Sequence, residues 1–207
     1  MNIADYILLV LLLVAIFIGS KRGFFSALLG VVSFIVGVIF SINYVDWTTS
    51  KLVTHMKVST IMVVFVSFIF MFVLVYIVAK LLGNLFYKVA SLRPLGNVDK
   101  IGGAVVGAFQ GWILIGFLLF LLVLLPLPDS IVAKLDSSFF APAMRGVVPL
   151  IYEGTAFAHP QSPYLIDKIK DALKAKPAEG SRRIIDSSSD DANVKRIIDD
   201  MEHYFGR

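Results

Sequence analysis

Cysteine is absent from the chain, which removes disulfide staples, thiol nucleophiles and thiolate metal sites. Charge is scarce as well. Asp, Glu, Lys and Arg make up 16% of the residues, against about a quarter in an ordinary soluble domain. So small a supply cannot cover a water-facing surface, and it is unevenly placed. Residues 1–128 hold eight Lys/Arg and three acids, whereas residues 129–207 hold eleven and twelve. Histidine occurs only at His55, His159 and His203, far apart and outside any H-E-x-x-H frame. A G-x-S-x-G elbow, a P-loop and paired membrane aspartates are all missing. No catalytic residue, metal site or cofactor site is therefore expected, and the chain is read as a non-enzyme. A basic patch interleaved with base-stacking aromatics is missing too, which argues against nucleic acid as a partner.

What the chain does have is long hydrophobic runs: Ile3–Gly19, Phe24–Ile42, Val58–Leu82 and Ile101–Leu127. About 20 apolar residues, at about 1.5 Å each, cross a hydrocarbon core about 30 Å thick. Lipid offers no partner to backbone N–H and C=O groups, so each run must close its own hydrogen bonds as a helix. The expected fold is all-α: a four-helix transmembrane bundle with short amphipathic helices and a flexible C-terminal tail. The first run is read as a retained span, because Asp5 stands where a signal peptide carries a base, and Lys21 and Arg22 come after the run. Gly102, Gly103, Gly107 and Gly111 weaken the first half of the fourth run, leaving either a long tilted helix or one that starts at the interface. The long helix is preferred.

The chain divides into three regions: a four-span domain at 1–128, a juxtamembrane amphipathic segment at 129–160 and a polar tail at 161–207. The connections are read as loops at 43–57 and Gly83–Lys100, with a break before Pro94. In the tail, 164–175 and 193–205 have amphipathic helical spacing, at lengths marginal for isolated helices. They need a surface for Ile166, Ile169, Leu173, Ile197, Met201 and Phe205: the 130–158 face, an outer leaflet or a partner. Pro177–Gly180 reads as a linker, and Ser187–Asp191 as a second linker or a cap. The 1–2 and 3–4 connections share Lys21, Arg22, Lys80, Lys88, Arg93 and Lys100, against Lys51 and Lys57 in the 2–3 loop. The positive-inside rule places the first group in the cytoplasm and both termini outside it.

The most ordered pattern within the spans is a pair of small-residue stripes. Gly23, Gly30 and Gly37 recur every seven residues, with Ser26 and Ser33 between them, and Gly103, Gly107 and Gly111 recur every four. Such stripes let backbones approach closely where lipid gives no hydrophobic drive. Helices 2 and 4 are expected to cross along them, with a homo-oligomer seam or a sliding interface as the alternative use. Asp5 and Lys80 lie near span ends and read as interfacial anchors. Gln110, the deepest polar side chain, is expected to hydrogen-bond across helices. Asp99 heads the fourth run and reads as its N-terminal cap.

Asp5 in the opening of the first span, Gly19-x-x-Arg22-Gly23-Phe24, and Val98-Asp99-Lys100-x-x-Gly103-Ala104-x-x-Gly107-x-x-x-Gly111 together resemble the colicin V production protein family. Pro126-Leu127-Pro128, Asp136-Ser137-Ser138 and Pro142 extend the likeness across about residues 1–158. The resemblance implies a multi-pass protein of the bacterial inner membrane. Its role would be to support toxin production or export, or envelope homeostasis, in an assembly with itself or a partner protein. A small transporter or channel component is the alternative.

Overall fold

A computed structural model describes residues 2–53, 58–89, 96–125, 128–158, 164–173 and 187–205. Nine α-helices run through these residues: α1 Ile3–Arg22, α2 Phe24–Leu52, α3 Thr60–Val89, α4 Asn97–Val123, α5 Asp129–Asp136, α6 Ala141–Arg145, α7 Val147–Gly154, α8 Leu165–Leu173 and α9 Ser187–Phe205. No strand occurs among the described residues. The first four helices are each long and apolar enough to cross a membrane, as the hydrophobic runs require. The break before Pro94, the Pro177–Gly180 linker, His55 and His159 lie outside the described residues.

Two connections are shorter than the sequence suggests. Residues 43–52 are the end of α2 rather than loop, and α3 continues through Gly83 to Val89. Neither Gly nor Pro occurs between Gly37 and Leu52 to stop α2. Its polar residues also bond back to their own helix: Ser41 Oγ donates to Val38 O, Asn43 Nδ2 to Ile39 O and Thr48 Oγ1 to Tyr44 O. At 29 residues, α2 is roughly 44 Å long by helical rise, so it outreaches a bilayer core. The surplus at its C-terminal end becomes a docking post for the shorter helices α7 and α8.

The bundle pairs α1 with α4 and α2 with α3, and α4 also packs on α2. Extensive packing between α1 and α3 is absent among the described residues, so the two flank an opening floored by α2 and α4. Aromatic rings fill the α2–α3–α4 interior: Phe34, Phe68, Phe72, Phe117 and Phe120 meet edge-on or tilted at 4.5 to 5.7 Å. Outward faces carry exposed Leu, Ile, Val and Phe, as lipid requires.

The amphipathic tail segments find their surface on the bundle itself. Leu165, Ile169, Ala172 and Leu173 of α8 and Ile197 and Met201 of α9 are buried in one cluster with Ile42, Val45, Phe68, Phe120 and Tyr152. Lys168 Nζ pairs with Asp46 at 3.2 Å, and Lys170 pairs with Glu202 between the two helices. Neither a leaflet nor a partner is needed to bury these faces. Ser187–Asp191 forms the first turn and more of α9 rather than a linker.

Candidate functional site

One helical reversal organises the end of the bundle where α1 stops and α4 starts. Only Gly23 separates α1 from α2, and its φ of 80° lies in the left-handed region that glycine adopts without strain. The first N–H groups of α2 have no partner inside their own helix. Asp99 supplies one: Phe24 N donates to Asp99 Oδ1 at 2.9 Å. The cap predicted for α4 thus serves α2 instead. Asp99 still lies in the first turn of α4, where a carboxylate also suits the helix dipole. A Cβ on Gly23 would run into that carboxylate, so Gly23 and Asp99 act as a pair.

From this junction the α4 stripe runs along α1, not along α2 as the stripes alone suggest. A Cβ on Gly103 would strike Gly19 O and approach Gly23 C at 2.9 Å. One on Gly107 would lie 2.8 Å from both Ala15 O and Gly19 Cα, and one on Gly111 2.5 Å from the Ala15 Cβ. The contacts are mostly backbone, so two helices meet here at the distance that only glycine allows. The α2 stripe serves three different neighbours. Gly23 faces Asp99, Gly30 faces the Gln110 amide at 3.2 to 3.3 Å, and Gly37 faces the Phe72 ring at 3.1 Å. The spacing was legible because close approach needs small residues; the partner depends on how the helices rotate, which spacing does not carry.

Beside this seam lies a cleft of about 300 Å³. Ala15, Ile18, Gly19 and Arg22 of α1 form one wall, Phe72 and Tyr76 of α3 the other, and Phe34, Gly107, Gln110, Gly111 and Leu114 the floor. Gln110 does not make the expected cross-helix hydrogen bond; its amide makes none among the described residues and faces the cleft. Arg22 is exposed at the cleft and has no carboxylate partner among the described residues. Lys80, well inside α3 rather than at its end, sits 5.6 Å from the Tyr76 ring centroid, a cation–π contact.

The opposite end is closed by Asp5, and here the interfacial-anchor reading fails. Asp5 is fully buried. Oδ2 accepts from Asn2 N at 2.8 Å, completing a capping box in which Asn2 Oδ1 accepts from Ala4 N and Asp5 N. Oδ1 accepts from Ser138 Oγ at 2.6 Å, Phe139 N at 2.8 Å and Phe140 N at 3.3 Å. Four donors hold one carboxylate, which latches the start of α1 to the turn between α5 and α6. Asn2 Nδ2 adds bonds to Lys134 O and Ser137 Oγ. Sequence did mark Ser137 and Ser138, but as a family element rather than as ligands of an aspartate 133 positions away.

Further contacts fasten the remaining helices to this end. Tyr152 Oη donates to Asn43 Oδ1 at 3.1 Å, and burial, aided by the nearby Asp46 charge, pushes the phenol up to about 12. Arg145 bonds Asp136 at 3.0 Å and lies 3.7 Å over the Tyr204 ring, while Tyr204 Oη donates to Asp136 at 2.9 Å. Burial, then the Asp136 bond and charge, raises the Tyr204 phenol above its ordinary value. No group of three or more His, Cys, Asp or Glu side chains able to hold a metal occurs among the described residues.

Four lipid-length helices, a bundle held by a glycine seam and exposed apolar flanks define an integral multi-pass α-helical membrane protein. The colicin V production protein family matches residues 4–149, and the chain belongs to that family. The matched span begins beside Asp5 and ends within α7, so it includes both the latch and the Asp99 junction. No curated protein and no solved structure matches the chain.

Proposed function

We propose that the chain is a non-enzymatic protein of the bacterial inner membrane that supports toxin export or envelope homeostasis by assembling with itself or a partner. The observation that carries this reading is the exposure of three large apolar side chains on the segment from α5 through the turn after α7, at the Asp5 end. Phe139, Leu150 and Phe157 are 77%, 72% and 86% exposed there, although their neighbours Ala141, Met144, Val148 and Tyr152 are buried against the bundle. Large apolar groups held rigidly at the rim of a membrane bundle form a surface that lipid headgroups or another protein covers. The carboxylates Asp5 and Asp99 are engaged in holding helices together, which supports a structural part for both. The transporter alternative calls for a path lined by Asp5, Gln110 and serines. Of these only Gln110 lines the cleft, among aromatic and aliphatic walls.

The charge distribution supports termini outside the cytoplasm. Lys21, Arg22, Lys88 and Lys100 gather at the end opposite the latch, and α8 and α9 pack on the latch side. Deleting the gene in a toxin-secreting host, with photo-crosslinking from Phe139 or Phe157 in the intact cell, tests the function. The expected result is reduced secretion or a weakened envelope, together with a discrete crosslinked species that Leu150→Glu removes. Unimpaired secretion and envelope integrity, with only lipid adducts from both positions, would overturn it. Alkaline phosphatase fused to the C-terminus is expected to be active; an inactive fusion with a fluorescent cytoplasmic reporter at the same place would reverse the orientation.

A further inference from the structure

We propose that the cleft between α1 and α3 binds a membrane lipid whose phosphate headgroup carries a net negative charge, with Arg22 taking the headgroup phosphate and an acyl chain lying along Phe34, Phe72 and Tyr76. This inference stands apart from the export reading, because it concerns what occupies the bundle rather than what the bundle assists. Its first support is shape. The cleft opens sideways between two helices that do not pack together, so its natural solvent is lipid, and its walls are mainly aromatic and aliphatic. About 300 Å³ holds on the order of ten water-sized groups, which suits a length of acyl chain rather than a whole lipid.

The second support is charge. The cleft carries one guanidinium, and Arg22 has no carboxylate to neutralise it among the described residues. Lys21 and Lys100 lie at the same end, as does Asp99, the one carboxylate there among the described residues, which is taken by Phe24 N. A planar guanidinium recognises phosphate oxygens in a paired geometry, and each nearby base adds attraction to an anionic lipid surface. The third support is Gln110. An amide without a hydrogen-bond partner is costly in an apolar setting. Gln110 lies near the depth of Ala15 and Gly19, one to two turns below Arg22, where the ester carbonyl of a lipid whose phosphate sits on Arg22 comes within reach of the amide.

The test uses the full chain in phosphatidylcholine nanodiscs doped with a phosphatidylglycerol or a phosphatidylcholine carrying a diazirine in its acyl chain. Labelled peptides are then mapped by mass spectrometry. The phosphatidylglycerol probe is expected to label the α3 segment around Phe72 and Tyr76 at least threefold more than the phosphatidylcholine probe. Arg22→Gln should bring the two together, Leu114→Trp should lower both by filling the floor, and Lys88→Gln should change neither beyond twofold. Unlabelled phosphatidylglycerol should displace the probe. Equal labelling of the wild-type chain by the two probes overturns the proposal without reference to any variant. Loss in Lys88→Gln as large as in Arg22→Gln would reduce the effect to surface charge, and displacement by free inorganic phosphate would remove the lipid from it; either result overturns it.

Discussion

Replacing Gly107 with Ala adds one methyl group to the α1–α4 seam, and the structure sets how much that costs. The new Cβ would lie 2.8 Å from Ala15 O and 2.8 Å from Gly19 Cα, where ordinary contact begins near 3.4 Å. Both obstacles are backbone atoms, so no rotamer change relieves them, and the helices must separate by roughly 0.6 Å or more. A gap of that order forfeits about a quarter or more of each dispersion contact along the seam. Together with the strain of overpacking, the expected loss is about 1–3 kcal/mol. Gly30→Ala and Gly154→Ala are the controls. A Cβ on Gly30 meets only the end of the Gln110 side chain at 3.2 Å, and one on Gly154 meets nothing within 4 Å. Both should stay within about 0.5 kcal/mol of the parent, helped by the higher helical propensity of Ala. Reversible unfolding in mixed micelles, monitored by far-ultraviolet circular dichroism, measures all three. Equal stability of Gly107→Ala and the parent, or equal losses in Gly107→Ala and Gly30→Ala, would refute the reasoning.

The polar contacts at the two ends of the bundle set four further outcomes. Asp99→Ala removes the acceptor for Phe24 N and should cost about 0.5–2 kcal/mol in the same assay, a helix-cap loss felt in α2 although the mutation is in α4. Asp5→Ala should speed amide hydrogen exchange at Phe139 and Phe140 while leaving Phe24 unchanged, because only the former two donate to Asp5. Tyr152→Phe should cost about 1 kcal/mol at neutral pH through loss of the Asn43 bond. It should also flatten the alkaline limb: the Tyr152 phenol is raised from 10 to about 12, so its stabilisation is intact below pH 10 and lost as pH rises towards 12. Arg145→Ala removes an ion pair and a ring contact and should free α9, seen as faster exchange across residues 191–205 with a loss of about 1–2 kcal/mol.

The spans were legible because lipid imposes length and hydropathy directly on the sequence, and each of the four runs maps onto one long helix, the third starting two residues before α3 and the fourth running past the end of α4 at Val123. Their ends were less so. Asn43, Asp46, Thr48 and Ser50 look like a loop by polarity, yet they extend α2 because no Gly or Pro interrupts it and Asn43, Thr48 and Ser50 bond back to carbonyls of the same helix. The glycine stripes announced close packing without naming the partner, and Gly107 meets α1 where spacing alone pointed to α2. Asp5 and Asp99 both stand out in the sequence, but each reads there as belonging to its own helix end. Beyond the local Asn2 N, their donors lie at Phe139, Phe140 and Ser138 in one case and Phe24 in the other, separations of 75 to 135 residues that no local pattern encodes. The cleft was invisible for the same reason: Arg22, Phe72, Tyr76 and Gln110 become one lining only after α1 and α3 settle on opposite sides of α2 and α4.

Because the chain has no cysteine of its own, paired substitutions give an unambiguous disulfide map in native membranes. The measurement closest to the central claim, that α1 lies against α4 along the glycine seam, is oxidation of the Ala15→Cys/Gly111→Cys pair, whose Cβ positions would lie 2.5 Å apart, so the helices part by about 1 Å to reach the usual disulfide spacing. Leu29→Cys/Gly83→Cys is the positive control, since those Cβ positions lie 3.8 Å apart, near the usual disulfide spacing. Gly30→Cys/Gly107→Cys represents the alternative in which the stripes of α2 and α4 face each other. The account predicts crosslinking of the Ala15/Gly111 and Leu29/Gly83 pairs, the latter faster, and none for Gly30/Gly107. A Gly30/Gly107 crosslink with an unreactive Ala15/Gly111 pair would contradict it.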